Sequence, residues 1–322
     1  MSEALPSVTV VIAARPGQEK ILAVEASRRF DYPRELLEVI VARGTHPSVQ
    51  RNRAVREARG ELIYFLDDDS VAEPGSLRLA VGVFKDPRVQ VVGGPNLCPD
   101  DAPPLEQAFA GAMANPLAFF SSSARYRATG ETRDSSEKEL ILCNMMMRRD
   151  GFLSAGGFDE ALYPNEENAL MDDLQKSGGR LIYEPRLVVR RRPRHSLRAF
   201  NKMLINYGRG RAEQVRLHPG LGSLPNFVPP IFCVYLMSLL AALALGWPLY
   251  YYAPLAAYIL LALLATLAIP KPPKASFLSV AGCIFLTHFF YGLGFWKGLF
   301  TSLKGPDDRP PVNVILERVQ LA

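Results

Sequence analysis

Residues 7–14 are almost wholly apolar, with Val8, Val10, Val11 and Ile12 in succession, and the run stops at Pro16-Gly17. A short continuous apolar run bounded by turn residues predicts a buried strand. Residues 37–42 and 62–66 repeat the pattern. Between these runs, residues 18–29 and 48–59 read as helices, the second with Ala54, Val55 and Ala58 on one side and Gly60 as its stop. Strand, helix, strand, helix, strand at this spacing predicts a largely parallel sheet covered by helices. Such sheets bind ligands at the carboxyl ends of their strands. Further on, the pattern predicts a helix over 76–84 and a strand over 89–92 stopped by Gly93-Gly94-Pro95. It also predicts a long helix over 105–126 interrupted near Pro116, a mobile polar loop over 130–138 and an extended apolar stretch over 140–147. A turn at 156–160 and a helix over 166–176 follow, then strand-like runs at 181–183 and 187–189. The segment 306–322, polar with a late apolar stretch, receives no assignment.

The pattern changes abruptly after Arg216. Residues 217–270 contain no Asp, Glu, Lys or Arg, and after Lys271 and Lys274 residues 275–296 are again uncharged. A helix needs about 20 apolar residues to cross a bilayer, so 228–247, 251–269 and 276–296 are predicted spans. Tyr250-Tyr251-Tyr252, between the first two, suits a membrane–water interface. A buried helical hairpin in a soluble protein is the competing reading, and so long an uncharged stretch argues against it. Composition thus predicts a soluble domain over 1–216 with a basic segment beside the membrane, about three hydrophobic helices over 217–304, and a polar tail over 305–322. Residues 1–6 are polar and no basic region precedes the first apolar run, so no signal peptide is expected and the first domain is placed in the cytoplasm. Lys297 and Lys304 flank the exit of the third span and leave open whether it crosses or re-enters.

The net charge of +5 over 322 residues is modest but local. Arg190, Arg191, Arg192, Arg194, Arg198, Lys202, Arg209, Arg211 and Arg216 crowd the approach to the first apolar span. They suit anionic lipid, at about 1 kcal/mol per residue, or a phosphate site, and the positive-inside rule places them in the cytoplasm. No nucleic-acid motif accompanies them, so nucleic acid is not expected as a partner. Cys98, Cys143, Cys233 and Cys283 lack any paired spacing and read as packing residues rather than zinc ligands or a disulfide frame. His195 and His218 read as interfacial, and His288 as facing another helix or a lipid phosphate.

The candidate chemistry starts at Asp67-Asp68-Asp69, directly after the third strand. Adjacent carboxylates repel unless a cation lies among them, and oxygen donors suit Mg²⁺ or Mn²⁺ completed by substrate phosphates. Side chains alternate along extended backbone, so Asp67 and Asp69 can share one ligand while Asp68 points elsewhere. On these residues alone, a solvated acidic turn or a helix N-cap stays open.

The wider series resembles the family 2 glycosyltransferases of the GT-A fold. It runs through Arg51-Asn52, Ala58-Arg59-Gly60-Glu61 and residues 63–69, then Asn144-Met145-Met146 with Arg148-Arg149, the turn at 156–160 and Asn165-Glu166-Glu167. Tyr207-Gly208-Arg209-Gly210-Arg211 is similar to the arginine segment of the membrane-linked branch, whose members include bacterial polysaccharide and lipid-linked oligosaccharide enzymes. The resemblance covers about residues 7–216. It implies a Rossmann-like mixed, mainly parallel sheet followed by transmembrane helices. It also implies a nucleotide-sugar donor and a divalent cation held by Asp69 with Asp67. Asp68, Ala13, Arg43, Arg51, Arg209 and Arg211 are then expected on the donor and Asn144 on the acceptor. Glu167, with Glu166 beside it, is expected as the general base. Read alone, Glu166 and Glu167 are two acids well placed at a helix N-terminus.

Two departures from the family pattern stand out. The second member of the base pair is Glu rather than Asp, which leaves Glu166 in play. No acid follows the second strand, where residues 41–45 read Val-Ala-Arg-Gly-Thr, so base recognition by that route is not expected and Arg43 or Arg51 is the alternative contact to base or phosphate. The resemblance implies inverting transfer to a lipid-linked acceptor in cell-surface polysaccharide or glycolipid synthesis at the inner membrane. Glycosylation of a polyisoprenyl phosphate, a processive synthase and a non-catalytic nucleotide-sugar-binding protein are the alternatives.

Overall fold

Val8, Val10, Val11 and Ile12 are wholly buried, and the run that holds them forms β1 (Val8–Ala14) in the computed structural model of the chain. The structure describes residues 5–160, 165–217, 221–270, 272–302 and 313–321. His218, Lys271 and Lys304 lie outside the described residues. After β1 come α1 (Leu22–Ser27), β2 (Leu37–Arg43), α2 (Pro47–Glu57), β3 (Leu62–Asp67), β4 (Val71–Ala72), α3 (Ser76–Val83), β5 (Val89–Gly93) and β6 (Asn96–Leu97). The middle of the chain forms α4 (Pro104–Met113), α5 (Pro116–Phe119), β7 (Arg133–Asp134), β8 (Asn144–Arg148), α6 (Arg149–Ser154), α7 (Glu166–Lys176), β9 (Arg180–Tyr183) and β10 (Val189–Arg190). The rest forms α8 (Leu197–Leu217), α9 (Val228–Ala244), α10 (Ala253–Leu267), α11 (Phe277–Phe300) and β11 (Ile315–Arg318).

The described residues divide into two compact units, one of residues 5–97, 124–191 and 313–321 and one of residues 98–123 and 192–302. This division differs from boundaries at 216 and 304. Composition reports which solvent a segment suits, whereas compact units report which segments pack together.

The first unit is built on an eight-stranded sheet in the order β11-β2-β1-β3-β8-β5-β9-β7. β1 pairs in parallel with β2 and β3, as the alternating pattern predicts. The sheet is mixed because β8 runs antiparallel between β3 and β5, and β7 and β11 also run against their neighbours. Met145 and Met147 enter one core and Met146 the other, so β8 is apolar on both faces and sits inside the sheet. Residues 130–138, read as a mobile loop, are instead held in place. Arg133 lies 4.3 Å over the Tyr183 ring and its Nη2 pairs with Glu139 at 2.8 Å. The unassigned tail supplies β11, which pairs with β2 from Ile315 opposite Arg43 to Arg318 opposite Ile40.

A small second sheet, β4-β10-β6, follows the acidic triplet. It depends on a close approach at Gly94, where a Cβ would lie 2.0 Å from the Leu187 carbonyl oxygen and 2.6 Å from that of Glu184. Backbone cannot yield as a side chain does. Gly94→Ala is therefore expected to lose about 1–3 kcal/mol of stability, measurable by chemical denaturation of detergent-solubilised protein.

In the second unit, α8 and α11 approach closely through small residues. A Cβ at Gly208 would lie 2.0 Å from the Tyr291 oxygen, and one at Gly294 2.2 Å from the Ile205 oxygen. Small residues at helix contacts are what lipid-embedded helices need to bring backbones together. His288 faces protein: its Nδ1 shares a hydrogen bond with the Tyr258 hydroxyl at 2.7 Å and its Nε2 one with the Leu117 carbonyl at 2.9 Å. Three helices, Leu224–Ala244, Leu249–Leu267 and Phe277–Phe300, are long and apolar enough to cross a membrane. Ile231, Met237, Leu240 and Leu243 on the first, and Leu260, Leu264 and Leu267 on the second, are exposed. The four cysteines are free thiols.

Removing residues 217–322 strips β11 from the sheet and three helices from the second unit. That truncation reads from sequence as a route to a soluble domain. It is expected instead to yield an aggregating product, which size-exclusion chromatography would reveal.

Candidate active site

The carboxyl ends of β1, β2 and β3 lie side by side, with Ala13 in register with Ala42 on one side and Asp67 on the other. Gln50 of α2 bolts two of these ends together. Its Nε2 donates to the Ala14 carbonyl at 2.9 Å and to that of Ala42 at 2.6 Å. The acidic triplet leaves β3 at this edge.

The three acids separate as the alternation predicts. Asp67 and Asp69 converge on one guanidinium: Arg191 Nη1 lies 3.0 Å from Asp67 Oδ2 and its Nε 2.5 Å from Asp69 Oδ1. Asp68 points elsewhere and accepts from the Gln18 amide. Pairing of β10 with β4 brings Arg191 here, since Arg190 stands opposite Val71. Burial raises the proton affinity of Asp69, the Arg191 charge opposes that rise, and Asp67 and Asp68 add to it.

Arg51 extends the charge run to α7. Buried on α2, it places Nη2 2.8 Å from Asp67 Oδ1 and Nη1 3.5 Å from Glu166 Oε1. The paired side chains therefore run Glu166, Arg51, Asp67, Arg191, Asp69. Glu166 is 2% exposed, whereas Glu167 is only half-buried. Burial, and then the Glu167 charge, push the Glu166 carboxyl up to about 8 against the pull of Arg51. An acid whose pKa is higher folded than unfolded stabilises the fold while it holds its proton. That contribution is complete below its ordinary value of 4.5 and is lost as the pH rises through about 8. Thermal stability is therefore expected to fall between about pH 5 and about pH 9 in the parent and to fall less in Glu166→Gln, which keeps the uncharged form throughout.

Several expected site residues are held by protein partners. Asn144, expected on the acceptor, lies inside the sheet. It is fully buried, its Oδ1 accepts from the Tyr64 hydroxyl at 2.7 Å, and its Nδ2 donates to the Leu187 carbonyl at 2.6 Å and the Pro95 carbonyl at 3.2 Å. A buried amide so engaged locks β3, β8 and the start of β10 together. Arg51, expected on the donor, is a buried link between carboxylates. Arg43 spends its Nε on Glu317 at 2.7 Å and its Nη1 on the Gln18 carbonyl at 2.7 Å. Arg209 and Arg211 belong to the second unit, where Arg209 lies 3.6 Å from Glu213 and Arg211 donates to Gln214 at 3.0 Å. Asn52 holds the turn at 156–160, donating to the Phe158 carbonyl and accepting from its amide. Arg191, Gln18, Gln50 and Glu317 carry no local sequence signal that marks them. Arg191 reads only as one charge in a basic run.

Asp67 and Asp69 fit a divalent cation. They are two hard oxygen donors aimed at one positive group, the number that Mg²⁺ or Mn²⁺ takes from protein when phosphates complete its shell. Among the described residues no three His, Cys, Asp or Glu side chains gather to form a closed metal cage.

Residues 62–269, more than half of the chain, match the family model described as glycosyl transferase family group 2. The chain belongs to that family. The pre-mycofactocin glycosyltransferases of Mycobacterium tuberculosis, strains CDC 1551 / Oshkosh and ATCC 25618 / H37Rv, are each 28% identical to it over 188 residues, 54% of this chain. The match spans 36% of their length, about a third of these curated relatives. Among solved structures, the mannosyltransferase PcManGT from Pyrobaculum calidifontis, in complex with GDP-Man and Mn2+, is similar in fold. Its TM-score is 0.60 at 20% identity, covering 92% of this chain and 88% of that one. As a member of this glycosyl transferase family, the chain joins a GT-A fold to C-terminal apolar helices that could cross a membrane.

Proposed function

We propose that the chain is a membrane-anchored, inverting glycosyltransferase that moves a sugar from a nucleotide donor to a lipid-linked acceptor. The observation that carries this reading is the run of paired side chains from Glu166 through Arg51, Asp67 and Arg191 to Asp69. It couples a strand-end acidic triplet, suited to a sugar-nucleotide diphosphate, to the start of α7, where the next residue, Glu167, is suited to proton removal.

Asp67 and Asp69 would hold Mg²⁺ or Mn²⁺, which when bound supplies positive charge against the departing diphosphate. Arg191 holds those two carboxylates side by side. Asp68, turned toward the segment after β1, is assigned to the nucleoside, with Ala13 beside it at the strand end. Glu167 takes the proton from the acceptor hydroxyl as it attacks the anomeric carbon. Arg51 and Glu166 position the start of α7 beneath it. In-line attack aided by one base inverts the anomeric centre.

The lipid-linked acceptor rests on the exposed apolar helices, whose large side chains suit lipid rather than water. Arg192, Arg194, Arg198 and Lys202 precede them and favour an anionic membrane face. The reading is a multi-pass protein of the plasma membrane with its catalytic unit in the cytoplasm.

The test is a screen of nucleotide sugars, GDP-Man among them, for Mn²⁺- or Mg²⁺-dependent binding and transfer. Membrane lipid extract and pre-mycofactocin serve as acceptors. Metal-dependent transfer to lipid is the expected result. Failure to bind any donor with either metal sinks the enzyme reading, and transfer to pre-mycofactocin alone sinks the lipid acceptor.

A further inference from the structure

We infer that the C-terminal strand β11 is a working part of the donor site, with Glu317 acting through Arg43 as a positioning residue for the turn that follows β1. The inference rests on the donor reading above and extends it to a segment far along the chain.

No acid follows β2 within residues 41–45. β11 brings one to that edge from elsewhere. It lies antiparallel to β2 with Glu317 opposite Val41, and Glu317 Oε1 accepts from Arg43 Nε at 2.7 Å. The same guanidinium donates through Nη1 to the Gln18 carbonyl at 2.7 Å and the Arg15 carbonyl at 3.3 Å. One planar group thus ties the tail strand, the end of β2 and the turn after β1. A guanidinium does this because its donors are fixed in a plane and cannot rotate independently.

The tied turn reaches the acidic triplet. Gly17 holds it in the left-handed region at φ 72°, a conformation that favours glycine. The Gln18 amide donates to the Arg15 carbonyl at 3.3 Å. The Gln18 side chain accepts from the Arg15 amide and donates to Asp68. Glu317 therefore connects to Asp68 through Arg43 and Gln18 alone.

Two features make this a matter of position rather than of folding. Gln50 ties the ends of β1 and β2 independently of Arg43. β11 is also held by Arg318, whose Nε lies 3.0 Å from Glu38 and whose Nη2 donates to the Glu57 carbonyl, and by the Val319 amide on Val39. The Arg43 and Glu317 side chains are 19% and 46% exposed, and ion pairs so open to water add little stability. Loss of the Glu317 charge should free the turn while leaving the strand in place.

The experiment uses the full chain and the variants Glu317→Lys, Glu317→Gln and Glu317→Asp. Amide hydrogen exchange of residues 15–20 is measured without donor, and donor KM and kcat are measured on the best donor of the screen. Glu317→Lys should speed exchange across 15–20 and raise donor KM about fivefold or more. Its kcat at saturating donor and its Tm should stay near the parent values. Glu317→Gln should shift in the same direction by less, and Glu317→Asp should return both readouts most of the way. Unchanged exchange and unchanged KM in Glu317→Lys overturn the inference. Faster exchange in a protein whose parent form binds no nucleotide sugar overturns the assignment of the turn to a donor, and the donor reading falls with it.

Discussion

Asp69→Ala should lose about a thousandfold in transfer, equivalent to ~4 kcal/mol of transition-state stabilisation, with its melting temperature close to that of the parent. Asp69 is half-buried at the exit of β3, and burial already works against its charge. Its removal therefore relieves a desolvated carboxylate while Arg191 keeps Asp67 as a partner. The fold has little to lose, and the diphosphate end of the site has much. Transfer at saturating donor, under chelator-controlled Mn²⁺ or Mg²⁺, is the measurement. Near-parental activity in this variant would show that the triplet is only a solvated turn.

The second large effect concerns the base. Glu167→Gln keeps the size of the side chain and removes its ability to take a proton, and should lose at least about a hundredfold in single-turnover transfer. Donor affinity, followed by calorimetry, should barely change. Glu166→Gln should be milder, because Glu166 is buried against Arg51 and turned to a structural partner. Glu167→Asp should retain measurable transfer. A dead Glu166→Gln beside an active Glu167→Gln would move the base by one residue. If both stay active, the base lies elsewhere. Asp172 is a poor substitute since it pairs with Lys176 at 2.5 Å, which leaves the exposed Asp159 next in line.

These two expectations draw on different parts of what was legible beforehand. The acids stood out because three carboxylates directly after an apolar run are costly without a cation. Their separation, Asp67 and Asp69 together and Asp68 apart, followed from the alternation of extended backbone, and the side chains point that way. The partner at the centre of the triplet was not legible. Arg191 is separated from it by more than a hundred residues and arrives through a two-residue pairing of β10 with β4. Asn144 is a second residue whose partners lie far along the chain. Its place in a family-like block suggested ligand contact, and its burial between Tyr64, Pro95 and Leu187 makes it a lock between strands.

By itself the sequence determined what depends on local order. The β1-α1-β2-α2-β3 run, the acidic edge after β3, the acids that open α7 and the three uncharged segments all follow from hydrophobic period and charge placement along adjacent residues. Only the tertiary structure decided which distant charges meet, that β8 runs antiparallel inside the sheet, and that residues 315–318 close its edge on β2. Strand direction, edge pairing and ion-pair partners are settled by contacts between segments far apart in the chain. Such contacts are selected by the burial and hydrogen-bonding needs of the whole assembly, and no window of neighbouring residues contains them.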